Sequence, residues 1–275
     1  MMRRLTTVAD LRAWRQSEGA CVLVPTMGGL HQGHLSLIEI AKRYSMPVVA
    51  SIFVNPLQFG IHDDFDRYPR TYEADCAALE RVGCDAVFAP SQREMYPGPQ
   101  TVFIEPPPNL STMLEGVFRP GFFRGVCTVV GKLFHLVQPS VAVFGKKDYQ
   151  QWRVIEAMVK ELMLPIQIVG ADTVREEDGL AMSSRNTFLS VNDRRRASEL
   201  PMVLRQVATT IRSNPNLVSK ACEDAERALQ ERGWVVDYIA VRDRVSLNDV
   251  ESIESAVMLA AARLGSTRLI DSMEL

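Results

Sequence analysis

The sequence lacks any long apolar run. Among its 275 residues, no uninterrupted apolar stretch reaches the roughly 18 residues that a membrane-spanning helix needs. The N-terminus is basic, but it continues into Thr6, Thr7 and Asp10 rather than into the apolar segment of a signal peptide. We therefore expect neither a membrane span nor a secretory signal.

The chain also lacks a large excess of either charge. Lysine and arginine together number 31 and aspartate and glutamate 33, which leaves a formal net charge of −2. The densest basic cluster is the triplet at 194–196, which we interpret as a solvated helix face. Proteins that bind nucleic acids usually carry a basic face that contacts phosphates. We therefore predict small-molecule substrates and no nucleic acid or membrane partner.

Disulfide and zinc-binding patterns are missing as well. The five cysteines are scattered, odd in number and never spaced as Cys-x-x-Cys. Most have apolar neighbours, so we predict reduced core thiols and a cytoplasmic protein. One close histidine pair exists, His31 and His34, but neither His62 nor His135 extends it into a clear metal-ligand pattern.

The first two-thirds of the sequence alternates short apolar runs with helix-like segments. This alternation is typical of a parallel sheet that is covered by helices on both faces. The predicted strands are 21–25, 48–54, 86–89, 141–144 and 166–169. The predicted helices are approximately 34–44, 71–82, 126–137 and 149–162.

The pattern changes after Val174. A capping-box pattern at Ser190 and Asp193 precedes a helical face over 200–211, and a second helix is predicted over 218–232. Strand-like segments follow at 234–241 and 257–262. The predicted fold class is therefore α/β, with a Rossmann-like parallel-sheet domain over 1–174 and a smaller mixed α/β domain over 175–275.

A glycine-rich segment, PTMGGLHQGH at 25–34, joins the first predicted strand to the first predicted helix. Glycines let backbone N–H groups approach a bound group, and a helix N-terminus offers unpaired donors and the positive end of its dipole. His31 and His34, three residues apart, can donate hydrogen bonds to a polyphosphate. The segment indicates a phosphate-binding site; the alternatives are a simple connection and half of a zinc site.

A second polar segment, Gly145 to Asp148, follows the strand predicted at 141–144. In a parallel sheet it starts at the same carboxyl edge as the glycine-rich turn, where ligands of open α/β sheets bind. The helix dipole disfavours a cation at a helix start, so a phosphate opposite Lys147 explains why a lysine is there. The alternative is a lysine that is simply solvated.

Weaker candidates lie in three other polar segments. The loop GLAMSSRN at 179–186 can close over a triphosphate, with its hydroxyls and Arg185 binding phosphate oxygens. Gln58 and Gln151 can bind the hydroxyl and carboxylate groups of a small substrate, or can simply satisfy nearby backbone. Asp75 lies in the first turns of a helix, where a carboxylate is structurally favoured, and it can equally hold Mg²⁺ for a nucleotide.

Taken together, these segments resemble the pantothenate synthetase family, the pantoate–β-alanine ligases of the nucleotidyltransferase superfamily. The matching motifs are, in chain order, PTMGGLHQGH, SIFVNPLQF, RYPRT, STMLEG, FRGV, VFGKKDYQQ and DGLAMSSRN. They span about residues 22–190, and the segment at 268–271 also resembles the family's ending. Seven motifs in the same order make this resemblance highly specific.

The resemblance implies a Rossmann-like domain that binds ATP and pantoate, a C-terminal lid domain and, usually, a homodimer. It also implies a ligase with two steps. Pantoate and Mg²⁺·ATP give pantoyl adenylate and pyrophosphate, and the β-alanine amine then attacks to give pantothenate and AMP. Residues that position and stabilise phosphates suit the first step, because forming an acyl phosphate anhydride requires orientation and charge stabilisation at the α-phosphate.

The motif positions also imply residue roles, with His34 as the usual proton donor. The residues expected to act on the transferring phosphate are His31, His34, Lys147, Ser183, Ser184 and Arg185. Those expected to line the ATP site are Met27, Gly28, Gly29, Leu30, His31, Gln32, Gly33, His34, Gly145, Lys146, Lys147, Asp148, Val174, Met182, Ser183, Ser184 and Arg185. Gln58 and Gln151 are expected to bind pantoate or β-alanine, and Asp75 is expected to be the magnesium partner.

Two positions depart from the family pattern. The family usually has an acidic residue where this chain has Lys146, and often a histidine where it has Phe122. Lys146 is expected to add positive charge beside the phosphates, which would tighten ATP binding or slow pyrophosphate release. Phe122 is expected to weaken pantoate binding, because it removes a hydrogen-bond donor.

Other functions remain open on the residues alone. One is a nucleotidyltransferase with a different small acceptor, and another is a nucleotide-binding module without catalysis. A tRNA-charging enzyme fits worse, because the chain is short, slightly acidic and without a recognisable RNA-binding module. Release of pyrophosphate that requires pantoate distinguishes the ligase from each of them.

Overall fold

The described part of the chain, residues 1–60 and 63–275 of a computed structural model, falls into two units. The first unit comprises Met1–Gly145 and Gln151–Ala171, and the second comprises Lys146–Gln150 and Asp172–Leu275. Within the described residues, no helix combines the length and the apolar composition that crossing a membrane requires.

A six-stranded parallel sheet forms the centre of the first unit. Its strands are β1 (Arg3–Leu5), β2 (Val22–Thr26), β3 (Val48–Ile52), β4 (Ala86–Phe88), β5 (Val141–Gly145) and β6 (Gln167–Ala171). They lie in the order β1-β4-β3-β2-β5-β6, and every neighbouring pair is parallel. Continuous apolar runs suit strands that are buried on both faces. The predicted α/β fold is confirmed, and the five predicted strands are present with ends shifted by at most two residues.

Strand β2 marks the point where the strand order reverses. The chain passes from β2 to β3 and β4 on one side, whereas β5 pairs with the other side of β2 and continues to β6. In doubly wound sheets, ligands bind outside the carboxyl ends of the strands at such a reversal. The topology therefore predicts a ligand site at the carboxyl end of β2, where the glycine-rich turn begins.

Eight helices accompany these strands in the described residues, and the longest of them is largely buried. They are α1 (Val8–Glu18), α2 (Gln32–Lys42), α3 (Tyr72–Arg81), α4 (Gln92–Met95), α5 (Pro108–Ser111), α6 (Glu115–Phe118), α7 (Phe122–Val137) and α8 (Tyr149–Glu161). Helix α7 was predicted to start at 126, but it begins at Phe122, directly after Gly121, whose φ of 82° turns the chain into the helix.

The N-terminal elements were not predicted. Strand β1 has three residues, of which only Leu5 is buried, so no apolar run announces it. Helix α1 carries a readable signal that the sequence analysis did not use, because Thr7 and Asp10 form a capping box at its start.

The second unit contains a three-stranded antiparallel sheet and three helices. The helices are α9 (Val191–Arg196), α10 (Glu199–Ser213) and α11 (Val218–Glu231), and the strands are β7 (Val235–Asp243), β8 (Ala256–Leu264) and β9 (Thr267–Glu274). The strand order is β7-β8-β9. Ser190 caps α9 through the backbone N–H of Asp193, at 3.1 Å, but α9 ends at Arg196 rather than continuing into the face at 200–211. Strand β9 was not predicted.

Helix α7 approaches the single helical turn Pro56–Gln58 at backbone distance. A Cβ atom built on Gly125 would lie 2.2 Å from the carbonyl oxygen of Leu57 and 2.8 Å from the backbone nitrogen of Gln58. Only glycine therefore allows the helix to approach this closely, and the packing sets the position of the turn that carries Gln58.

Replacing Gly125 by alanine is expected to destabilise the protein. Alanine favours a helix interior by about 1 kcal/mol over glycine, but the collision with fixed backbone is expected to outweigh this gain and to cost about 1–3 kcal/mol net. Urea unfolding followed by circular dichroism measures the effect. Gly131→Ala in the same helix is the control, because its Cβ would meet the Cδ1 methyl of Ile104 at 2.3 Å, which a side-chain rotation can move. Equal stability of the two variants would contradict the close approach.

Candidate functional site

The glycine-rich turn joins β2 to α2 through two residues with left-handed backbone. Gly28 has a φ of 83° and Gly29 a φ of 62°, a conformation that residues with a Cβ rarely adopt. A Cβ on Gly28 would also lie 3.0 Å from Cγ2 of Ile52. The backbone amide of Gly28 is held by the hydroxyl of Thr26, at 3.2 Å, so the turn starts from a defined geometry.

A buried carboxylate from α3 holds the rest of this turn. Asp75 is 2% exposed, and its Oδ2 accepts the backbone N–H of Gly29 at 3.0 Å. Its Oδ1 accepts the backbone N–H of Leu30 at 2.9 Å and the hydroxyl of Thr71 at 3.0 Å. Hydrogen bonds to an ionised acceptor are stronger than neutral ones. The carboxylate thus fixes the backbone immediately before His31.

The two histidines lie together at the start of α2. Their ring centroids are 4.0 Å apart at an interplanar angle of 37°. The backbone N–H of His31 donates to Nδ1 of His34 at 3.3 Å, and the backbone N–H of His34 donates to the carbonyl of His31 at 2.8 Å. Because Nδ1 of His34 accepts a hydrogen bond, the neutral ring carries its proton on Nε2. His34 therefore presents an N–H donor.

Gln58 is tied to the turn through an amide network. Its Oε1 accepts from Nδ2 of Asn55 at 3.0 Å, and its Nε2 lies 3.2 Å from the sulfur of Met27. The hydroxyl of Tyr96 donates to Oδ1 of Asn55 at 2.7 Å. Burial raises the pKa of Tyr96, which keeps this hydroxyl protonated as a donor. The sequence analysis did not single out Asn55, although its place directly after β3 and before Gln58 was a usable signal.

Phe122 serves as a platform for a cation. The guanidinium of Arg119 lies 3.8 Å from the centroid of the Phe122 ring. The same guanidinium donates to the backbone carbonyl of Gln58 at 3.0 Å and to Oδ2 of Asp63 at 3.1 Å. Sequence reasoning missed Arg119 and treated Phe122 only as a lost donor. The weaker pantoate binding expected from Phe122 stays a prediction.

Lys146 and Lys147 lie in the second unit, in the helical turn Lys146–Asp148. Nζ of Lys147 is 3.8 Å from the carboxylate of Asp148, and its side chain is 19% exposed. Nζ of Lys146 instead lies 2.9 Å from Glu274 and 3.1 Å from Asp172. Two carboxylates of the same unit therefore pair with Lys146, and its expected contribution of positive charge for phosphates stays a prediction.

The loop that carries the serines is anchored from β9. Arg175 donates to both carboxylate oxygens of Asp271 at 2.8 Å, and to the backbone carbonyls of Gly179 and Ser272 at 3.0 Å. Arg175 pairs with Ala181 as an antiparallel bridge, and Met182 donates to the carbonyl of Val174 at 3.0 Å. A doubly hydrogen-bonded pair whose carboxylate is buried gives the loop a defined shape.

Three predicted site residues, Ser183, Ser184 and Arg185, come shortly after the hairpin that the Arg175–Ala181 bridge closes. Ser183 precedes the helical turn Ser184–Phe188, and its hydroxyl accepts the backbone N–H of Arg185 at 3.3 Å. Ser184 is buried. The hairpin thus delivers two hydroxyls and a guanidinium in consecutive positions.

The predicted site residues fall into two sets. The set in the first unit is Met27, Gly28, Gly29, Leu30, His31, Gln32, Gly33, His34, Gln58, Asp75, Gly145 and Gln151. The set in the second unit is Lys146, Lys147, Asp148, Val174, Met182, Ser183, Ser184 and Arg185. The contacts above connect Gln58, Met27 and Asp75 with the glycine-rich turn; Gln151 is half-buried in α8.

The described residues offer little to a protein-bound metal ion. Over residues 1–60 and 63–275, no group of three or more histidine, cysteine, aspartate or glutamate side chains could hold a metal. His62 lies outside the described residues. Asp75 already accepts three hydrogen bonds, and a carboxylate offers about four acceptor positions. Asp75 therefore does not fit a direct Mg²⁺ ligand well.

The fold and the turn together define a class. A doubly wound parallel sheet, with a glycine-rich strand-to-helix turn at its reversal point, is the architecture of α/β proteins that bind nucleotides. Comparison with known proteins narrows this class. The family model described as pantoate–beta-alanine ligase matches residues 2–274. The chain belongs to the pantoate–beta-alanine ligase family, whose activity serves pantothenate biosynthesis, and the predicted resemblance is confirmed.

Solved structures agree with this assignment. A pantothenate synthetase from Thermus thermophilus is 45% identical with a TM-score of 0.92, and the match covers 99% of each chain. A pantoate–beta-alanine ligase from Francisella tularensis, complexed with beta-gamma ATP and beta-alanine, is 32% identical with a TM-score of 0.83. That match covers 100% of this chain and 98% of the Francisella chain.

Replacing Asp75 by alanine is expected to lower the free energy of unfolding. The change leaves the partly buried N–H groups of Gly29 and Leu30 without their acceptor, and an unsatisfied buried group costs about 1–3 kcal/mol. Thermal unfolding in the presence of MgCl₂ and in the presence of EDTA measures the loss. If Asp75 anchors the turn, the loss is the same in both solutions.

Glu73→Ala is the matched control for this experiment. Glu73 lies in the same helical turn, but its side chain is 75% exposed and pairs with Arg4 at the surface. Exposed ion pairs contribute at most about 1 kcal/mol. A loss for Asp75→Ala that appears only with MgCl₂ would show that Asp75 acts through the metal.

Proposed function

We propose that this chain condenses pantoate with β-alanine in an ATP-dependent reaction through a pantoyl-adenylate intermediate, releasing pyrophosphate and AMP. The observation that carries the proposal is the histidine pair, held by the Asp75-anchored turn at the reversal point of the sheet. The match to the family over residues 2–274 supports the choice of substrates. The ligands of the Francisella structure support ATP and β-alanine in particular.

ATP is proposed to bind with its phosphates against the glycine-rich turn. The N-terminal N–H groups of α2 and the Nε2–H of His34 would donate hydrogen bonds to these phosphates. We further propose that Lys147, Ser183, Ser184 and Arg185 of the second unit reach the same triphosphate. Their positive charge and hydroxyl donors match the charge that a leaving pyrophosphate develops.

The first step then joins pantoate to the α-phosphate. A carboxylate oxygen of pantoate attacks the α-phosphorus, the bond to the bridging oxygen of the β-phosphate breaks, and pyrophosphate leaves with that electron pair. The proposed role of His34 is to donate a hydrogen bond from its Nε2–H to the departing phosphate oxygens as their negative charge grows. His31, Lys147 and Arg185 stabilise the accumulating negative charge, which is a matter of positioning and electrostatics.

In the second step, the β-alanine amine attacks the acyl carbon of the adenylate. The bond from that carbon to the phosphate oxygen breaks and AMP leaves with that electron pair, while the amine nitrogen loses one proton to the leaving phosphate and becomes the amide. We propose that Gln58 and Gln151 bind pantoate. Nε2 of Gln58 faces the sulfur of Met27, a weak acceptor, so an oxygen of the substrate would be a better partner.

ATP is proposed to react as its Mg²⁺ complex. Magnesium commonly keeps several waters and binds nucleotide phosphates with the help of few protein ligands. The hydrogen bonds of Asp75 leave it little capacity for direct coordination, so we assign no step to a protein-bound metal.

We also propose a role for each domain, a cellular compartment and an oligomeric state. Residues 1–174 would bind ATP and pantoate, residues 175–275 would act as a lid, and the protein would work in the cytoplasm as a homodimer. Four of the five cysteines are buried, and all five are free thiols, which suits a reducing compartment. Burial raises the pKa of the Cys84 and Cys127 thiols to about 12, which keeps them protonated and unreactive.

Assays with pantoate, ATP and β-alanine test the reaction directly. Pyrophosphate is expected only when pantoate and ATP are present together, in an initial burst of roughly one equivalent per active site. AMP and pantothenate are expected only after β-alanine is added. Pyrophosphate release with another small acid in place of pantoate would favour a different nucleotidyltransferase, and ATP binding without turnover would favour a non-catalytic module.

Loss of either proposed phosphate contact is expected to slow adenylate formation. His34→Ala and Lys147→Ala should each reduce the rate of the pyrophosphate burst by roughly 100-fold or more, as removal of one preorganised donor does elsewhere. Quenched-flow measurement of pyrophosphate gives this rate. His135→Ala and Lys220→Ala, at exposed positions, serve as controls and should keep the wild-type burst. An unchanged burst in His34→Ala or Lys147→Ala would exclude the corresponding role.

A further inference from the structure

One carboxylate holds both sides of the turn that carries Lys147. Oε2 of Glu274 lies 2.9 Å from Nζ of Lys146, and Oε1 of the same side chain accepts the hydroxyl of Tyr149 at 3.1 Å. Lys146 directly precedes Lys147, and Tyr149 follows it by two positions. Glu274, at the end of β9, therefore brackets Lys147 from both directions along the chain.

The backbone of the turn is attached to the same strand. The hydroxyl of Ser272 donates to the carbonyl of Lys146 at 2.7 Å. Tyr149 gains a further contact, because its hydroxyl lies 3.3 Å from the carbonyl of Arg244. The turn is thus fixed through two side chains and through its main chain, which limits where Lys147 can lie.

The ion pair between Lys146 and Glu274 is only partly exposed to solvent. The side chain of Lys146 is 20% exposed and that of Glu274 is 32% exposed, so solvent screens their attraction only in part. Burial alone lowers the pKa of Lys146, but its ion pairs with Glu274 and Asp172 outweigh burial and raise that pKa overall. The second carboxylate, Asp172, is 91% exposed and is expected to contribute less.

We propose that Glu274 is a positioning residue for adenylate formation, which holds Lys147 at the triphosphate through Lys146 and Tyr149. This inference rests on the proposed function, because it gives Lys147 its task. It also assigns Lys146 to the architecture of the turn rather than to the phosphates. The lysine at this position thereby acquires a partner 128 residues away in the sequence.

The test measures the single-turnover rate of pyrophosphate release from pantoate and ATP in the full-length protein. Glu274→Gln is expected to slow this rate by about tenfold, a typical coupling for residues in one hydrogen-bonded network. Glutamine keeps an acceptor for Tyr149 but loses the charge that holds Lys146. Asp172→Asn is the matched control, and it should change the rate by about twofold at most because that carboxylate is exposed.

A double-mutant cycle with Lys147 separates positioning from general stability. If Glu274 acts through Lys147, then Glu274→Gln should cause no further loss in a Lys147→Ala background. Losses that multiply would overturn the proposal.

A second readout separates the two chemical steps. Attack of β-alanine on pantoyl adenylate supplied from outside should proceed at the wild-type rate in Glu274→Gln, because the proposed role concerns the triphosphate. An equal slowing of both steps would indicate a general structural defect and overturn the proposal. If wild-type protein itself releases no pyrophosphate, the proposed function fails; if wild type is active and Glu274→Gln matches it, only the positioning role fails.

Discussion

The glycine-rich turn depends on the buried carboxylate of Asp75. Gly28 and Gly29 have left-handed backbone, and the N–H groups of the turn need acceptors because an unsatisfied buried donor costs about 1–3 kcal/mol. The carboxylate accepts hydrogen bonds from the backbone N–H groups of Gly29 and Leu30 and so fixes the backbone directly before α2. The orientation of His31 and His34 follows, because both belong to the first residues of that helix. A carboxylate that strengthens a turn thereby decides where two imidazoles lie.

In the second unit, carboxylates of the last strand, β9, likewise support loops through hydrogen bonds. Asp271 holds Arg175 and with it the hairpin ahead of Ser183, while Glu274 holds the turn that carries Lys147. In each case a carboxylate pairs with a cation that supports a loop containing predicted site residues. Charged pairs that are partly shielded from water are stronger than surface pairs, so they suit this supporting role. Strand β9 thus organises both candidate phosphate-binding loops of its unit.

Sequence patterns predicted those elements whose signal is local. Strands β2, β3 and β5 were predicted because they are short, largely apolar runs. Helix α10 was predicted because its apolar residues recur with a helical period. Strand β9 escaped because it buries Thr267, Asp271 and Ser272, which breaks the apolar alternation expected of a strand. Strand β1 escaped because three residues are too few to show a period. The contact of Lys146 with Glu274 could not be predicted, because the two residues are 128 positions apart in the sequence.

The sequence by itself determined the α/β class, the position of the glycine-rich turn and the family, because each depends on residues that are close together in the chain. The tertiary structure alone decided which partners each polar side chain contacts. It made Asp75 the acceptor for two backbone amides, and it placed the guanidinium of Arg119 over the ring of Phe122. The physical reason is that a polar side chain acts through its partners, and folding brings those partners from distant parts of the chain.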